Sequence, residues 1–401
     1  MDILLISREA LFPNIGGHRE YLLSTVNMLA NAGNNIDIFS WGPEENYNYN
    51  SGNLSECHIK SGDDKISSGS NFKFVRGVAS SIGIGQIHTI RHKGIGLENF
   101  KDALKSNYDI VIKNGPDSNN IAYYIGKKYR IPVIERLDWV GLPYRSINYR
   151  KWLNYIGEKY MPYQYFHKYY DKFVTRMEAK SAYNADYIYT HTKEDMEKIS
   201  KYTGNQKLSY IYPFLYEENG IKDNDIKIWD KFILFYGTPS INASEAIRYI
   251  YKISKLNTNI KYAITGNFLD EKKKYTTENL IFLGELPIKD FYNILKKAYF
   301  IIFPITLGHG IQMKLIRAFS FKKAVIATDG IVKPINELLD NDKNIFIAKT
   351  PEDFFHYILY LYENEDAVCN AGRMAYEIYK KQFSPEIHKN RIIDYLKNCR
   401  N

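Results

Sequence analysis

The residues with the sharpest chemical signature are Phe303-Pro304-Ile305-Thr306-Leu307-Gly308-His309-Gly310-Ile311-Gln312-Met313-Lys314-Leu315-Ile316-Arg317-Ala318-Phe319. The apolar run Tyr299 to Phe303 predicts a buried strand. A turn holding Pro304, Gly308 and Gly310 ends it. A helical pattern follows, with Ile311, Leu315, Ala318 and Phe319 on one face. A strand that stops at a glycine-containing loop opening a helix is an anion site, because free backbone N–H groups and the positive helix end point at it. Lys314, one turn in, adds a full charge. With a second strand, Ala324 to Thr328, close behind, the segment predicts phosphate recognition at the carboxyl edge of a parallel sheet.

Two other places offer polar chemistry. Pro132 to Leu137 predicts a strand ending at Asp138. A carboxylate there faces the cleft of a parallel sheet, as a catalytic or acceptor-binding group; the alternative is a loop cap or a partner of Arg136. Near the N-terminus, Gly16-Gly17 and His18 stand between a strand, Ile3 to Ser7, and a helix, Glu20 to Ala32. Ile36 to Trp41 completes a βαβ unit. The pair lacks the full GxGxxG pattern, and no acid follows the second strand, which disfavours a nicotinamide site. His18 is an acceptor-side candidate or a plain loop residue, and His191 and His309 are poor candidates for a base.

These groups must be positioned by alternating strands and helices. Tyr108 to Lys113, Tyr187 to Thr190 and Leu208 to Tyr212 predict further strands of a first parallel sheet. Helices are expected near Asn119 to Tyr129 and over Lys193 to Tyr202, the latter capped at Thr192. The polar segment Tyr47 to Asn71 predicts a loop, and Glu217 to Asp230 a linker. Strands at Phe232 to Tyr236, Lys261 to Thr265 and Leu280 to Leu283 end in the pairs Gly237-Thr238, Gly266-Asn267 and Gly284-Glu285. Helices over Asn242 to Ser254, Ile288 to Ala298 and Pro351 to Glu363, then on to Asn398, complete a second doubly wound sheet whose loops converge on one cleft.

The 401 residues are enough for two or three domains, and 45% hydrophobic with 25% charged residues is ordinary for a globular chain. No apolar run approaches the roughly 20 residues of a membrane span. Met1 to Ser7 has no basic n-region or cleavage site and predicts a strand, not a signal peptide. Cys57, Cys369 and Cys399 form no metal spacing, so a reducing cytosol and no metal are expected. A net charge of +9 points to anionic partners. From Tyr144 to Lys180 the chain carries eight Lys or Arg against three acids, with aromatic residues interleaved. The stretch is a membrane-interface surface including Arg150, Lys151, Trp152 and Lys159, or a long helical connection with one solvated basic face. No nucleic-acid motif accompanies it, so nucleic acid is not an expected partner.

Several of these segments together resemble the retaining nucleotide-sugar glycosyltransferases of GT-B fold, close to family 4 (group 1). They are Gly16-Gly17-His18; Glu178 to Ile188; Phe235-Tyr236-Gly237-Thr238 with Asn242; and Gly308-x-Gly310-Ile311-Gln312-x-Lys314-Leu315-x-x-Ala318 followed by Lys323 to Thr328. The resemblance implies two Rossmann-like domains facing across a cleft: residues 1–215, with a final helix over about 384–401 packing back on them, for the acceptor, and residues 216–383 for the donor. It implies that Lys314 neutralises the donor diphosphate and that Gly308, Gly310 and Ile311, with Gln312, lie against it. Gly237 and Thr238 would flank the phosphates, and Gly284-Glu285-Leu286 would touch the base. Gly16 and Gly17 would let the backbone approach sugar or phosphate. The donor is then a substrate, with no further cofactor, and the acceptor is a glycan, lipid-linked or protein hydroxyl. A cytoplasmic location follows, with peripheral attachment to the inner face of the membrane.

The sequence departs from the family at two positions. The glutamate expected before the signature alanine is Arg317, and the glutamate eight residues upstream falls on His309. Arg317 could pair with a donor phosphate, with an acid such as Asp329, or with other protein groups. These departures also fit a catalytically silent GT-B partner of an active enzyme. A GT-B epimerase would need an acidic, histidine-rich cleft, which is not evident.

Overall fold

A computed structural model describes residues 1–7, 11, 17–42, 47–60, 100, 102, 104, 105, 107–115, 121–158, 167–204, 207–218, 220, 226 and 228–400. The chain divides into two compact units. The first holds Met1–Leu142, Pro162–Phe214 and Pro385–Asn401; the second holds Pro143–Met161 and Leu215–Ser384.

In chain order the elements begin with β1 (Asp2–Ser7), α1 (Gly17–Asn31), β2 (Asn35–Gly42), β3 (Tyr47–Ser51) and β4 (Leu54–Lys60). They continue with β5 (Ile110–Asn114), α2 (Ile121–Tyr129) and β6 (Val133–Leu137). Next come β7 (Tyr144–Arg145) and α3 (Tyr149–Ile156), then α4 (His167–Ser181), β8 (Tyr187–Thr190), α5 (Lys193–Ser200) and β9 (Lys207–Tyr210). Among the described residues the first unit is an eight-stranded sheet in the order β3-β4-β2-β1-β5-β6-β8-β9. All its pairings are parallel except β3 with β4. Each central strand is an apolar run buried on both faces, as a helix-covered parallel sheet requires: Ile3 to Ile6, Ile110 to Ile112 and Ile188 are almost fully buried. Thr192 caps α5, its hydroxyl accepting from Asp195 N at 2.9 Å.

The loop expected over Tyr47 to Asn71 is instead the β3–β4 hairpin as far as Lys60, and residues 61–71 lie outside the described ones. Polarity misled there because β3 is an edge strand whose side chains alternate into solvent, and its antiparallel ladder depends on β4 rather than on burial.

The second unit continues with β10 (Ile233–Tyr236), α6 (Ile241–Ser254), β11 (Tyr262–Thr265), α7 (Leu269–Tyr275), β12 (Leu280–Gly284), α8 (Ile288–Lys297) and β13 (Phe300–Phe303). After these come β14 (Leu307–Gly308), α9 (Met313–Ser320), β15 (Val325–Thr328), α10 (Asp329–Val332) and β16 (Phe346–Ala348). The last helices are α11 (Pro351–Glu363) and α12 (Glu365–Ile378), followed by α13 (Pro385–Arg400) of the first unit. The second sheet is parallel throughout, in the order β12-β11-β10-β13-β15-β16. The short pair β7–β14 stands beside it, antiparallel.

The stretch Tyr144 to Lys180 is not one helical connection. Its first part, with α3, belongs to the second unit, and α4 belongs to the first. The cause is the apolar face of α3. Trp152 is 2% exposed, its ring 4.9 Å from that of Tyr249 and 5.7 Å from that of Phe354, and its indole N–H donates to Lys349 O at 3.0 Å. Trp152 is therefore a core residue of the second unit and not a surface one. Arg150 and Lys151, on the same helix, are exposed; Lys159 lies outside the described residues. Among the described residues no helix is long and apolar enough to cross a membrane.

Candidate functional site

In the second unit the loops at the carboxyl ends of β10, β11 and β12 are tied together. Gly237 N donates to Thr265 O at 3.3 Å, and Gly266 N and the Thr265 hydroxyl each donate to Gly284 O at 2.9 Å. A Cβ at Gly266 would stand 2.2 Å from Gly237 O, so only glycine lets these loops approach so closely. The loop after β13 folds back through β14, and Asn242 of α6 donates to Leu307 O at 3.2 Å. Gly308 and Gly330 touch backbone to backbone: a Cβ on Gly308 would lie 2.6 Å from Gly330 O.

Helix α9 starts at Met313, two residues after the expected Ile311. Gln312 is its N-cap, gives no side-chain bond to the first turn, and instead donates through Nε2 to His309 O. Gly310 adopts φ +46° ahead of it. The first turn is fixed from below by buried Tyr236, whose hydroxyl donates to Lys314 O at 2.6 Å. A Cβ built on Gly237 would stand 3.4 Å from Lys314 Nζ, which places the ammonium beside that glycine. The ammonium lies 5.9 Å from the Phe303 ring, and no carboxylate pairs with it among the described residues. Burial alone pulls its pKa down to about 8. Lys314 is a half-buried cation whose desolvation no anion among the described residues offsets. Thr238 and Glu285 are exposed beside these loops, and Ile311 and His309 are half-buried.

Arg317 points elsewhere. It is 4% exposed, its Nη1 donates to Tyr216 O at 2.9 Å, Glu218 Oε1 lies 3.9 Å away, and its guanidinium lies 5.2 Å from the Tyr292 ring. Burial lowers its pKa to about 10. Asp329, one of the acids open to it, accepts instead from Ile147 N at 2.6 Å. Protein groups hold Arg317.

In the first unit a second polar cluster occupies the carboxyl edge of the sheet. Arg136 is 1% exposed; it donates to Asn114 Oδ1 at 2.5 Å and to Asp138 Oδ1 at 2.5 Å, and lies 4.6 Å from the Tyr21 ring. Asp138 is thus the partner of Arg136, one of the two roles its position allowed. His191, set aside in the sequence as a base, stands beside Asp138. Its Nδ1 lies 2.9 Å from Ile211 O and its Nε2 2.9 Å from Asp138 Oδ1. A neutral imidazole has one N–H and here faces two acceptors. Given to the carbonyl, that N–H leaves the Nε2 lone pair against a carboxylate oxygen, a repulsive contact unless a proton lies between them. Arg136, 3.4 Å from Nε2, can touch both atoms but cannot stand between them. Burial lowers the pKa of His191, and the Asp138 bond opposes that shift.

The loop that carries Asp138 is gripped by acids. Val140 N donates to Asp195 at 3.2 Å, Gly141 N to Glu178 at 2.7 Å and Leu142 N to Asp171 at 2.8 Å. Burial raises Asp195 to about 6 and pushes Glu178 well above the carboxylate range. Gly17 and His18 fall in the first turn of α1, and Gly16 lies outside the described residues.

Residues 230–364 match the family described as glycosyl transferases group 1. No curated protein sequence matches the chain. Among solved structures, sucrose-phosphate synthase from Thermosynechococcus elongatus is 11% identical with a TM-score of 0.68, over 99% of this chain and 98% of that one. HepE from Anabaena, in complex with UDP and glucose, gives 11% and 0.63 over 98% and 99%. A variant of S. aureus TarM in complex with fondaparinux, α-GlcNAc-glycerol and UDP gives 11% and 0.64 over 100% and 99%. At these identities the likeness establishes the fold: two Rossmann-like units of GT-B architecture.

Proposed function

We propose that this protein transfers a sugar from a nucleotide diphosphate sugar to an acceptor hydroxyl, with retention and without a metal, in the assembly of a bacterial surface glycan or glycoconjugate. The observation that carries the reading is Lys314, a desolvated ammonium with no carboxylate partner among the described residues, at the uncapped start of α9 and inside the segment that matches group 1 glycosyltransferases. A diphosphate supplies the missing counter-charge. In the reaction the glycosidic bond to phosphate breaks, and Lys314 with the first-turn N–H groups holds the charge that develops on the leaving oxygen. The acceptor proton passes to the departing diphosphate. Gly237 and Thr238 flank the phosphates, and the main chain of Gly284-Glu285-Leu286 touches the base. Asp138, with Arg136, orients the acceptor; with its Oδ1 already between a guanidinium and an imidazole it is a weak base. The solved complexes of HepE and TarM with UDP support a nucleotide donor, and fondaparinux on TarM supports a glycan acceptor.

A second reading, a catalytically silent partner that stabilises an active glycosyltransferase, is favoured by one observation: Arg317, where an acid was expected, is committed to Tyr216 O. Calorimetry and transfer assays with a panel of nucleotide sugars separate the two. The enzyme reading expects a donor that binds and is consumed, with Lys314→Ala weakening its binding about 10- to 100-fold, the worth of one charge-assisted hydrogen bond. Affinity should hold below pH 8 and fall as pH rises through about 8, where the free ammonium loses its proton. Wild type that binds no nucleotide sugar leaves only the partner reading.

A further inference from the structure

Helix α4 presents one solvent-facing stripe made only of aromatic and cationic side chains. Tyr169, Lys172, Phe173, Arg176 and Lys180 are all exposed, and Tyr183 continues the line just past the helix end. At 100° per residue the five helical positions fall within about 100° of arc, and they span about 17 Å of axis. Tyr169 is 75% exposed, Phe173 47% and Tyr183 65%, a costly display of apolar surface unless something covers it. The acids of the same helix face inward. Asp171 and Glu178 accept from Leu142 N and Gly141 N, and Asp171 also faces Lys198 at 3.7 Å, so among the described residues of α4 the stripe has no anion of its own. On neighbouring α5, Glu197 faces Lys193 at 3.8 Å, and Arg176 lies 5.6 Å from the Tyr202 ring.

We propose that this face of α4 is a docking surface for an anionic lipid bilayer. Tyrosine rings suit the headgroup layer, with a polar hydroxyl on an apolar body, and Phe173 can enter the acyl boundary. Lys172, Arg176 and Lys180 meet anionic headgroups along one line, and their long stems let the charges stay at the surface while the rings sink. The stripe includes neither Lys314 nor Asp138, so it adds a place of work to the proposed chemistry without contributing to it.

Full-length protein sedimented with phosphatidylcholine vesicles, with and without phosphatidylglycerol, tests this. Wild type should bind only the anionic vesicles, and less as salt rises. The triple variant Lys172→Glu, Arg176→Glu, Lys180→Glu should bind them at least about 100-fold more weakly, the product of three per-cation surface terms. Tyr169→Ser with Phe173→Ser should lose binding at ordinary ionic strength while keeping that at low salt. Circular dichroism and unchanged nucleotide affinity show that the variants remain folded. The proposal is overturned if wild type binds neither vesicle or both equally, or if the triple variant binds undiminished. Loss of a single-stranded oligonucleotide instead of vesicles in that variant would equally overturn it, in favour of a nucleic-acid face.

Discussion

At the scale of single residues, the sequence made Lys314 and Asp138 visible because each follows a strand, but it could not show what each one faces. Lys314 has no carboxylate partner among the described residues and keeps the anion-binding role open to it. Asp138 is held by Arg136 and His191, and that geometry has a consequence of its own. Ile211 O and Asp138 Oδ1, each 2.9 Å from a ring nitrogen of His191, leave room for one proton more than a neutral imidazole and a carboxylate carry. Burial lowers the pKa of His191, so at neutral pH the ring's single N–H should go to the charged acceptor, on Nε2 against Asp138. Proton NMR of ¹⁵N-histidine-labelled protein should then show a protected resonance on the Nε2 side of His191. In Asp138→Asn the amide brings its own N–H to Nε2, and the resonance should vanish while the chain stays folded. A wild-type spectrum without it would mean that Arg136 alone bridges the two atoms. Nothing in the spacing of Asp138 and His191, 53 positions apart, announces this pair. Only the parallel pairing of β6 with β8 brings them together.

At the scale of elements, the strands of both sheets were legible because each is an apolar run bounded by small turn residues. The elements missed are those whose reason lies in a neighbour. They are the polar hairpin β3–β4, the two-residue strands β7 and β14, and β16, which pairs only along the edge of β15. The glycines show the same division. Gly237 and Gly308 look alike in sequence, yet their surroundings differ. A Cβ on Gly237 meets the mobile end of Lys314 at 3.4 Å, whereas one on Gly308 meets the backbone of Gly330 at 2.6 Å. Gly308→Ala should therefore cost about 1–3 kcal/mol as overpacking against fixed backbone. In a unit of this size that lowers Tm by roughly 2–10 °C in a thermal melt. Gly237→Ala should leave Tm within about 1 °C, since its backbone already suits alanine, and should weaken nucleotide binding by crowding the ammonium. Equal melting losses in the two variants would mean that Gly237 is also a packing glycine and that the loop is less tolerant than its contacts indicate.

At the scale of the whole molecule, the excursion of residues 143–161 into the second unit was not legible in the sequence. Aromatic and basic residues alternate across Tyr144 to Lys180 without a break, so composition alone cannot say which core each ring enters. Packing decides it. Trp152 inserts between Tyr249 and Phe354 of the second unit, and Glu158 and Arg248 form an ion pair on the same side of α3. Past Met161 the chain returns to the first unit, where α4 buries Val174 and Ala179 and turns its own aromatics outward. A segment that lies in the first half of the sequence is thus structural material for the second fold unit, and its loss should register there. Trp152→Ala removes a fully enclosed indole and should cost about 3–5 kcal/mol. Hydrogen exchange should locate that cost. Amides of β10, β11 and β13 should lose protection by the full amount, while those of β1, β5 and β6 keep theirs. Protection falling equally in both sheets would mean that the chain unfolds as one cooperative block. The division of contacts would then describe architecture without describing stability, and loss of nucleotide binding in such variants could no longer be assigned to the second unit alone.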